Sequence, residues 1–392
     1  MKILITTDWY SPAVNGVVTS VKNLRRGLEA LGHEVRILTL SQTRHSQMED
    51  GVYYLGSVPV GLLYPGARLR TPMVRGIAQE ILEWRPDVVH SQCEFSTFYM
   101  ARRIADYLSI PLIHTYHTVY EDYTHYITSS ARLGRTAVTL LTRWVAAQSD
   151  CFVAPTGKVR QLLLDYGVRR PVFVVPTGID LSRFGGVEDP ARTAALRQRL
   201  GIPPENQVLI TVGRIAEEKN LEELLRLRAE LGDEPVTLLI VGEGPDQLRL
   251  EGIAASLGLT APALIFAGLV APEEVPAWYH LGDLYVSAST SETQGLTYIE
   301  ALASGTPALC RMDPCLAGVI REGENGWQYR DGADFQRKLA DFTSHPEMRT
   351  ALSDAARRSV EPYSIGAFAR SLEDIYLQQI LRRTDRRGEV SA

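Results

Sequence analysis

The sequence predicts an α/β protein made of two doubly wound domains that face each other across a cleft. Its 392 residues exceed what one ordinary hydrophobic core accommodates. Short apolar strands alternate with amphipathic helices, which is the pattern of a parallel sheet covered by helices. Between residues 176 and 206 this alternation gives way to a stretch rich in Gly, Pro and Asp, and then it starts again.

The first domain begins with the apolar strand KILIT at residues 2–6, followed by a loop that contains Pro and Gly. Apolar residues then recur at helical spacing from Val18 to Leu31, and Gly32 ends this helix. Strand, turn, helix and strand in this order form the βαβ unit of a parallel sheet. Further strands are predicted in HEVRILTL, DVVHSQ, PLIHTYHT, CFVAPT and PVFVVPTG.

The second domain repeats the alternation, with strands predicted in QVLITVGRI, VTLLIVGEGP, LIFAGLV and LYVSAS and helices in LEELLRLRAEL and TYIEALASG. A last amphipathic helix follows. We therefore predict Rossmann-like domains at residues 1–183 and 184–365, and a terminal helix at 366–392 that packs on the first domain. Ligands of open α/β sheets bind at the carboxyl ends of the strands, so the site is expected there.

Charge is distributed unevenly along the chain. The net charge is −5, but residues 1–185 carry 20 basic and 15 acidic side chains, whereas residues 186–392 carry 21 and 31. A basic first half favours an anionic partner on that side, although ordinary variation between domains explains the difference equally well. Four cysteines without a CxxC spacing predict neither a disulfide framework nor a metal site. We expect no metal, no cofactor and no nucleic-acid partner.

Two glutamates flank a glycine in SETQGLTYIEALASG, residues 291–305. The start of a helix leaves N–H groups free and carries about half a positive charge. The amides of Gln294, Gly295 and Leu296 are therefore expected to bind an anion. Glu292 in the loop and Glu300 one turn into the helix would accept hydrogen bonds from hydroxyl-rich groups, such as a sugar and a ribose. The alternative is that both are surface carboxylates.

Two further stretches point to phosphate. In GRIAEEKN (213–220), Arg214 and Lys219 follow the strand QVLITV, and cations beside a helix N-terminus suit a diphosphate. Surface cations are the competing interpretation. In the first domain, Gly16 lies in the first strand-to-helix loop, where it could approach a phosphate closely, although a plain turn explains it equally well.

These stretches resemble the retaining glycosyltransferases of family GT4, which have the GT-B fold. The hallmark of that family is two glutamates separated by seven residues, here Glu292 and Glu300. The segment HTYHTVYEDYTHYI (114–127), together with TDWYSPAVNGVVTSV and SQCEFS, is similar to the subgroup that glucosylates diacylglycerol. The resemblance extends over nearly the whole chain.

The resemblance implies a role for each motif residue. Glu300 would bind the ribose of a nucleotide sugar, and Glu292 would hold the transferred sugar with the amides of residues 294–296. The leaving diphosphate would be neutralised by Arg214 and Lys219 and approached by Gly16. On the first domain, His117 is expected to contact the sugar, and Tyr120 and Asp122 are expected near the acceptor.

The reaction implied is transfer of glucose from UDP-glucose to the 3-hydroxyl of 1,2-diacylglycerol with retention of anomeric configuration. We expect attack on the same face, with the departing phosphate taking the acceptor proton and with Glu292 positioning the sugar. Two cations and a helix terminus make a metal unnecessary for charge stabilisation. Alternatives are another lipid or glycolipid acceptor, a GT-B sugar-nucleotide epimerase, and a nucleotide-sugar sensor without catalysis.

A membrane surface is expected beside the first domain. In RLGRTAVTLLTRWVAA (132–147), a helical projection places Trp144 and the other apolar residues on one side and Arg132, Arg135 and Arg143 on the other. This is the arrangement of an interfacial helix on an anionic membrane. Packing of the apolar side on the sheet is the alternative. The predicted location is the cytoplasmic, inner face of the cell membrane, with peripheral attachment.

Overall fold

The computed structural model describes residues 1–13, 15–60, 68–71, 75–117, 131–186 and 189–390. The chain forms two compact units. Unit 1 comprises Met1–Gly178 together with Ile365–Ala392, and unit 2 comprises Ile179–Ser364.

Unit 1 contains an eight-stranded sheet in the order β10-β9-β8-β7-β1-β2-β4-β3, which is parallel except for β3. A separate antiparallel ribbon pairs β5 with β6. The strands are β1 (Lys2–Thr6), β2 (Glu34–Leu40), β3 (Gln47–Glu49), β4 (Val52–Leu55), β5 (Ser57–Pro59), β6 (Arg68–Arg70), β7 (Val88–Ser91), β8 (Leu112–Thr115), β9 (Cys151–Ala154) and β10 (Val172–Val174).

Helices cover both faces of this sheet, and the alternation of side chains along each strand explains why. In β1, Ile3 and Ile5 are fully buried in a core with α1 and α14, whereas Leu4 is fully buried in a second core with α3, α4 and α5. The helices of unit 1 are α1 (Gly16–Ala30), α2 (Arg75–Trp84), α3 (Ser96–Leu108), α4 (Ala131–Gln148), α5 (Gly157–Asp165) and α14 (Ile365–Val390).

The C-terminal helix α14 packs against α1 within unit 1. A Cβ added to Gly27 of α1 would lie 2.7 Å from the Cβ of Ala369, so the absence of a side chain at Gly27 permits this close approach. Tyr376, fully buried on α14, bonds through its hydroxyl to Nδ1 of His90 at 2.6 Å. A buried stripe of α14 therefore anchors the end of the chain to the first sheet.

Unit 2 contains a six-stranded parallel sheet in the order β13-β12-β11-β14-β15-β16. Its strands are β11 (Gln207–Val212), β12 (Val236–Val241), β13 (Leu264–Gly268), β14 (Leu284–Ser287), β15 (Ala308–Arg311) and β16 (Gly326–Tyr329). Its helices are α6 (Leu181–Phe184), α7 (Pro190–Arg199), α8 (Leu221–Glu230), α9 (Gln247–Ser256), α10 (Val275–Leu281), α11 (Leu296–Ala303), α12 (Gly332–Ser344) and α13 (Arg349–Ser359). As in unit 1, the side chains of a single strand lie in two cores: in β11, Val208 and Ile210 are on one face of the sheet and Leu209 is on the other.

The predicted fold class is confirmed: the two units are Rossmann-like α/β layers with parallel sheets. Strands were predicted at the observed places of β1, β2 and β7 to β14, but β3 to β6, β15 and β16 were not predicted. Gly16 was placed in a loop by the sequence pattern. In the structure it is the first residue of α1, because the side chain of Asn15 accepts the N–H of Val18 at 2.9 Å and caps the helix there.

Candidate active site

The strand order of unit 2 reverses between β11 and β14, which are neighbours in the sheet although two strands separate them in the chain. Counted within the unit, the order is 3-2-1-4-5-6, the arrangement in which ligands bind at the carboxyl ends of the two central strands. The loop after β11 contains Arg214 and Lys219, and the loop after β14 contains Glu292. The predicted donor residues of this unit thus lie at the switch point.

Lys219 and Glu292 form an ion pair at this point. Lys219 Nζ lies 2.5 Å from Glu292 Oε1, and their side chains are 32% and 14% exposed. Both are accessible enough to exchange this contact for a ligand and buried enough for electrostatic interactions to be stronger than in bulk water. When a ligand binds, the cation can bind a phosphate, and the carboxylate can accept a hydrogen bond from a hydroxyl group.

Hydroxyl groups of the second loop tie it to the first. Ser289 and Ser291 both donate from Oγ to the carbonyl of Glu218, at 3.3 and 3.0 Å. Asn220 donates from Nδ2 to the carbonyl of Ala288 at 3.4 Å. These bonds fix the distance between the loops, so the Lys219–Glu292 pair is held by backbone anchors on both sides.

Gly295 makes the turn into α11. Its backbone is left-handed, with φ of 72°, and a Cβ at this position would lie 2.3 Å from the ring of Tyr298. Only glycine fits both requirements. The Tyr298 hydroxyl bonds to Ser287 Oγ at 2.8 Å, so the ring is fixed beneath the turn. The free N–H groups at the start of α11 are thereby presented at the switch point.

Glu300 is half-buried on α11, and burial raises the pKa of its carboxyl group. Tyr279 donates its hydroxyl to Glu300 Oε2 at 3.0 Å, and this bond, with the positive charge of Arg183, opposes the effect of burial. Tyr279 uses Oε2 alone, so Oε1 can accept a hydrogen bond from a ligand hydroxyl. Sequence reasoning did not find Tyr279, because its segment carries no motif.

The remaining predicted residues of unit 2 differ in accessibility. Arg214 is exposed, and within the described part of the chain no acidic partner is recorded for it. Gln294 as a whole is only 3% exposed. The anion-binding role predicted for its backbone amide therefore stays a prediction.

The sheet of unit 1 has its own reversal of strand order, between β1 and β7. His117 follows β8, beside β7, and its Nε2 lies 2.6 Å from Oε1 of Gln92. Burial lowers the pKa of His117 to about 3, and nearby His114 adds to the effect, so the ring is neutral at pH 7. Because an amide oxygen only accepts, Nε2 carries the proton and Nδ1 the lone pair. The sequence analysis did not select Gln92 as a candidate site residue. Its position just after the strand β7, where ligands of such sheets bind, could have indicated it.

A buried pair lies beside His117. His114, for which the sequence indicated no role, is fully buried, and its Nε2 lies 3.2 Å from Oε1 of Glu94, which is 4% exposed. Asp8, two residues after the end of β1, accepts the N–H groups of Ser96 and Thr97 at 3.1 and 2.8 Å at the start of α3. The carboxyl edge of this sheet thus concentrates polar groups that only the tertiary structure brings together.

Asp8 gives a pH-dependent prediction for stability. Burial raises the pKa of Asp8 to about 6, nearby Glu94 adds to the rise, and the bonds from Thr97 and Ser96 oppose it. A carboxyl group with a raised pKa stabilises the fold below about pH 4 and loses that contribution as the pH rises through 6. The unmodified chain therefore loses stability between pH 4 and pH 8, and Asp8→Asn does not share this loss. The unfolding free energy of Asp8→Asn, taken relative to that of the unmodified chain, is expected to rise by about 1–3 kcal/mol from pH 4 to pH 8.

Denaturant unfolding at pH 4 and pH 8 measures this change, with Asp106→Asn as the control. Asp106 lies on α3, the helix whose first N–H groups Asp8 accepts, and its side chain is 63% exposed, so its removal should shift stability little at either pH. An equal effect of Asp8→Asn at both pH values would contradict the assignment.

The burial of apolar residues on α4 differs from the predicted projection. These residues do not form one side: Val138 and Val145 are buried in the core, whereas Leu133, Leu140 and Trp144 are exposed and form a ridge along α4. The split arises because α4 packs on the sheet by one stripe only and leaves the next stripe to solvent. We call the exposed residues Leu133, Leu140 and Trp144 the α4 ridge.

The arginines of α4 are all exposed, yet they are not equivalent. Arg143 donates from Nε to the carbonyl of Tyr166 at 2.5 Å, at the end of α5. This bond caps a carbonyl that the helix leaves without a partner. Arg132 and Arg135 lie in the first turns of α4, nearer Leu133.

Two predicted acceptor residues, Tyr120 and Asp122, lie outside the described residues. Within the described ranges, no group of three or more His, Cys, Asp or Glu side chains is placed to hold a metal ion. In the same ranges, none of the helices combines the length and the hydrophobicity needed to cross a bilayer.

Solved structures with this architecture are glycosyltransferases of the GT-B fold. Anabaena HepE, solved in complex with UDP and glucose, superposes with a TM-score of 0.75 at 17% identity, over 96% of this chain and 100% of that chain. WaaG, a glycosyltransferase involved in lipopolysaccharide biosynthesis, gives a TM-score of 0.67 at 17% identity, over 95% and 99%. The two units therefore have the GT-B fold.

The sequence comparisons identify the family. Residues 14–183 match the model of Glycosyltransferase Family 4, and residues 193–359 match that of the Glycosyl transferases group 1. Alpha-monoglucosyldiacylglycerol synthase of Streptococcus pneumoniae is 34% identical over 97% of this chain and 86% of its own length. The protein of the same name from Acholeplasma laidlawii is 32% identical over 97% and 98%. This chain belongs to glycosyltransferase family 4, as its motifs indicated.

Proposed function

We propose that this glycosyltransferase moves glucose from UDP-glucose to the 3-hydroxyl of 1,2-diacylglycerol at a membrane surface and retains the anomeric configuration. The observation that carries the proposal is the Lys219–Glu292 pair at the switch point of unit 2, beside the N-terminus of α11. A cation, the amides at a helix N-terminus and a carboxylate in one place suit a diphosphate joined to a sugar. HepE, a neighbour in fold, was solved with UDP-glucose.

The donor is proposed to bind unit 2 along α11. The diphosphate takes Lys219, Arg214 and the amides of residues 294–296, which contribute charge and N–H donors. Glu292, released from Lys219, accepts hydroxyls of the sugar. Glu300, oriented by Tyr279, accepts hydroxyls of the ribose. In unit 1, Gly16 at the start of α1 is proposed to approach the diphosphate, and Nδ1 of His117 to accept a sugar hydroxyl.

The proposed reaction breaks the bond between the anomeric carbon and the diphosphate oxygen and forms a bond to the acceptor oxygen on the same face. The acceptor proton passes to the departing diphosphate. Lys219 and Arg214 stabilise the negative charge that develops on the diphosphate, and a fixed group of this kind contributes about 10²–10³ in rate. Glu292 positions the sugar and forms no covalent bond to it.

The acceptor is proposed from the relatives. Two proteins that are 34% and 32% identical over nearly the whole chain carry names stating synthesis of alpha-monoglucosyldiacylglycerol. A second candidate is another acceptor, because D-inositol 3-phosphate glycosyltransferase of Geodermatophilus obscurus is 34% identical over 71% of this chain. Tyr120 and Asp122 remain the proposed acceptor-side residues.

Release of UDP from UDP-glucose, with and without diacylglycerol in mixed micelles, tests the function. Lipid-dependent release is expected, with UDP-galactose as the matched donor control and an inositol phosphate as the matched acceptor control. NMR of the glycolipid product should show the α-anomer, and a β-linked product would contradict retention. Turnover with inositol phosphate but not with diacylglycerol would favour the second candidate.

We further propose that the α4 ridge and its arginines contact an anionic membrane surface on the cytoplasmic side. Trp144 is 42% exposed and packs one edge against Phe98, at 5.6 Å between ring centroids. The exposed apolar residues can enter the interface while Arg132 and Arg135 meet anionic headgroups. The third arginine, Arg143, donates a hydrogen bond to the carbonyl of Tyr166 and so holds α4 against the end of α5.

Vesicle sedimentation checks the membrane proposal. The chain is expected to bind vesicles containing phosphatidylglycerol, to bind phosphatidylcholine vesicles weakly, and to dissociate as salt rises. Trp144→Ala should weaken partitioning about tenfold, because it removes a large apolar side chain from the interface. Tyr107→Ala, which removes an aromatic residue 75% exposed on α3, is the control. Equal binding to both vesicle types at low salt would contradict the proposal.

A further inference from the structure

A small polar cavity lies at the amino edge of the unit 1 sheet, beside α14. Its volume is about 60 Å³, and its lining consists of Asp150, Arg170, Pro171, Gln379, Arg382 and Arg383. Asp150 immediately precedes β9, and Pro171 immediately precedes β10. The cavity is therefore at the opposite edge of this sheet from Gln92 and His117, and the proposed glycosyl transfer does not use it.

The charge of the cavity is positive. Three arginines and one aspartate line it. The carboxylate is already engaged, since Asp150 Oδ2 accepts the N–H of Leu112 at 2.9 Å and Nη2 of Arg383 at 3.0 Å. Arg382 is exposed at the mouth, and Arg170 donates to the carbonyl of Ala147 at 3.3 Å. An anion entering here would meet an excess of positive charge.

Buried donors point to the same conclusion. Gln379 is 4% exposed and lines the cavity, yet its Nε2 has no hydrogen-bond acceptor among the described residues. The Nε of Arg383 is likewise buried without an acceptor in the described part of the chain. Buried N–H groups normally have a partner, and the oxygens of an anionic ligand would supply acceptors for both donors at this cavity.

We propose that this cavity binds a phosphate group. A phosphate supplies oxygens for Gln379 Nε2 and Arg383 Nε, and its charge matches the guanidinium groups of Arg170 and Arg382, which bind phosphate in a fork. A cavity needs a volume of about 10–15 Å³ to hold a single water. The volume here is about 60 Å³, which leaves room for a tetrahedral oxyanion. Bound phosphate would link α14 to the starts of β9 and β10.

Calorimetric titration of the full chain with inorganic phosphate at pH 8 tests the proposal. UDP is kept saturating so that phosphate does not enter the nucleotide site, and ionic strength is held constant with chloride. Saturable binding of one phosphate per chain is expected. The double variant Arg170→Gln with Arg382→Gln removes two charges without touching the Asp150–Arg383 pair, and its affinity should fall at least tenfold.

Arg370→Gln is the matched control, because it removes one exposed positive charge from the same helix, α14, outside the cavity. Gln379→Leu keeps similar volume but removes the buried donor, and it should weaken binding several-fold with the circular dichroism spectrum unchanged. Hydrogen exchange should show phosphate-dependent protection at residues 379–385. Equal affinity in the double variant and the unmodified chain, or protection confined to other segments, would overturn the site.

The source of the phosphate is separated by a vesicle experiment. Vesicles containing phosphatidic acid are compared for the double variant and Arg370→Gln. Loss of vesicle binding in the double variant alone assigns the site to a lipid headgroup. Equal vesicle binding, together with the tenfold loss for inorganic phosphate, assigns it to a soluble phosphate compound. Both results uphold the phosphate site.

Discussion

Substitution of Lys219 by methionine is expected to lower kcat about 10²–10³-fold, which is the loss seen when one fixed group that stabilises developing charge is removed. Methionine keeps the length of the side chain but not its charge. The leaving diphosphate would lose one of its two proposed cations, and Glu292 would lose the partner that lies 2.5 Å from it. Because the loops are also held by Ser289 and Ser291, the fold should persist.

Steady-state kinetics of UDP release measure this effect, with circular dichroism to confirm folding. Arg226→Met is the matched control: it removes a positive charge from the exposed face of α8, where Arg226 pairs with Glu222, and such surface pairs contribute at most about 1 kcal/mol. The control should retain nearly full activity. If Lys219→Met changed only KM and left kcat intact, Lys219 would bind the donor without stabilising the leaving group.

Substitution of His117 by alanine is expected to lower kcat/KM about 10²-fold, which corresponds to about 3 kcal/mol, the upper end of the cost of leaving a buried hydrogen-bonding group without its partner. The reason lies in the protonation state. With a pKa lowered to about 3 by burial, the imidazole stays neutral over the working range of pH. Its Nε2–H is held by Gln92 at 2.6 Å, which leaves the lone pair of Nδ1 to accept a hydrogen bond from a sugar hydroxyl.

The pH profile separates this role from a structural one. His117 should contribute no inflection to kcat/KM between pH 5.5 and 8 in the unmodified chain. Gln92→Leu removes the acceptor that fixes the ring and should cost about tenfold in kcat/KM, although it touches no proposed substrate. Asp106→Asn, on the exposed face of α3, serves as the unaffected control. An inflection near pH 6.5 that disappears in His117→Ala would contradict the neutral form.

Stability gives a second readout for the same residue. A histidine whose pKa is lowered in the folded state stabilises the fold fully above its unfolded value, near 6.5. That contribution is lost as the pH falls through 6.5 toward 3, because the unfolded chain binds the proton first. Asp8, with its raised pKa, works in the opposite direction between pH 4 and 6. The two effects partly cancel in acid.

Much of the fold was determined by local sequence. The strands KILIT and QVLITV each contain three consecutive apolar residues, because a parallel sheet buries both of its faces, and they lie at residues 2–6 and 207–212 as predicted. The position of α11 followed from its apolar spacing and from Gly295. Among the missed strands, β3 (QME), β5 (SVP) and β6 (RLR) lack the run of apolar residues that distinguishes a strand from a loop, whereas the equally short strands β7 to β10 begin with such a run.

The donor motif was predicted only in part. The spacing of Glu292 and Glu300 and the presence of cations near a helix start could be read from the sequence. Which cation pairs with which carboxylate could not. The contact between Lys219 and Glu292 joins residues 73 positions apart, and Asp8 meets Thr97 across 89 positions. Such contacts depend on which strands become neighbours, and the strand order of a sheet is not written in any one segment.

Local sequence therefore determined the class of each element and the residue types at the ends of the strands, because burial on a sheet or on a helix face imposes a periodic pattern. Tertiary structure alone decided which of these residues meet and which faces stay exposed. The α4 ridge illustrates the difference. Leu140 and Val138 are both apolar in the sequence, but among the described residues Val138 is buried in a core of unit 1 whereas Leu140 stays 59% exposed.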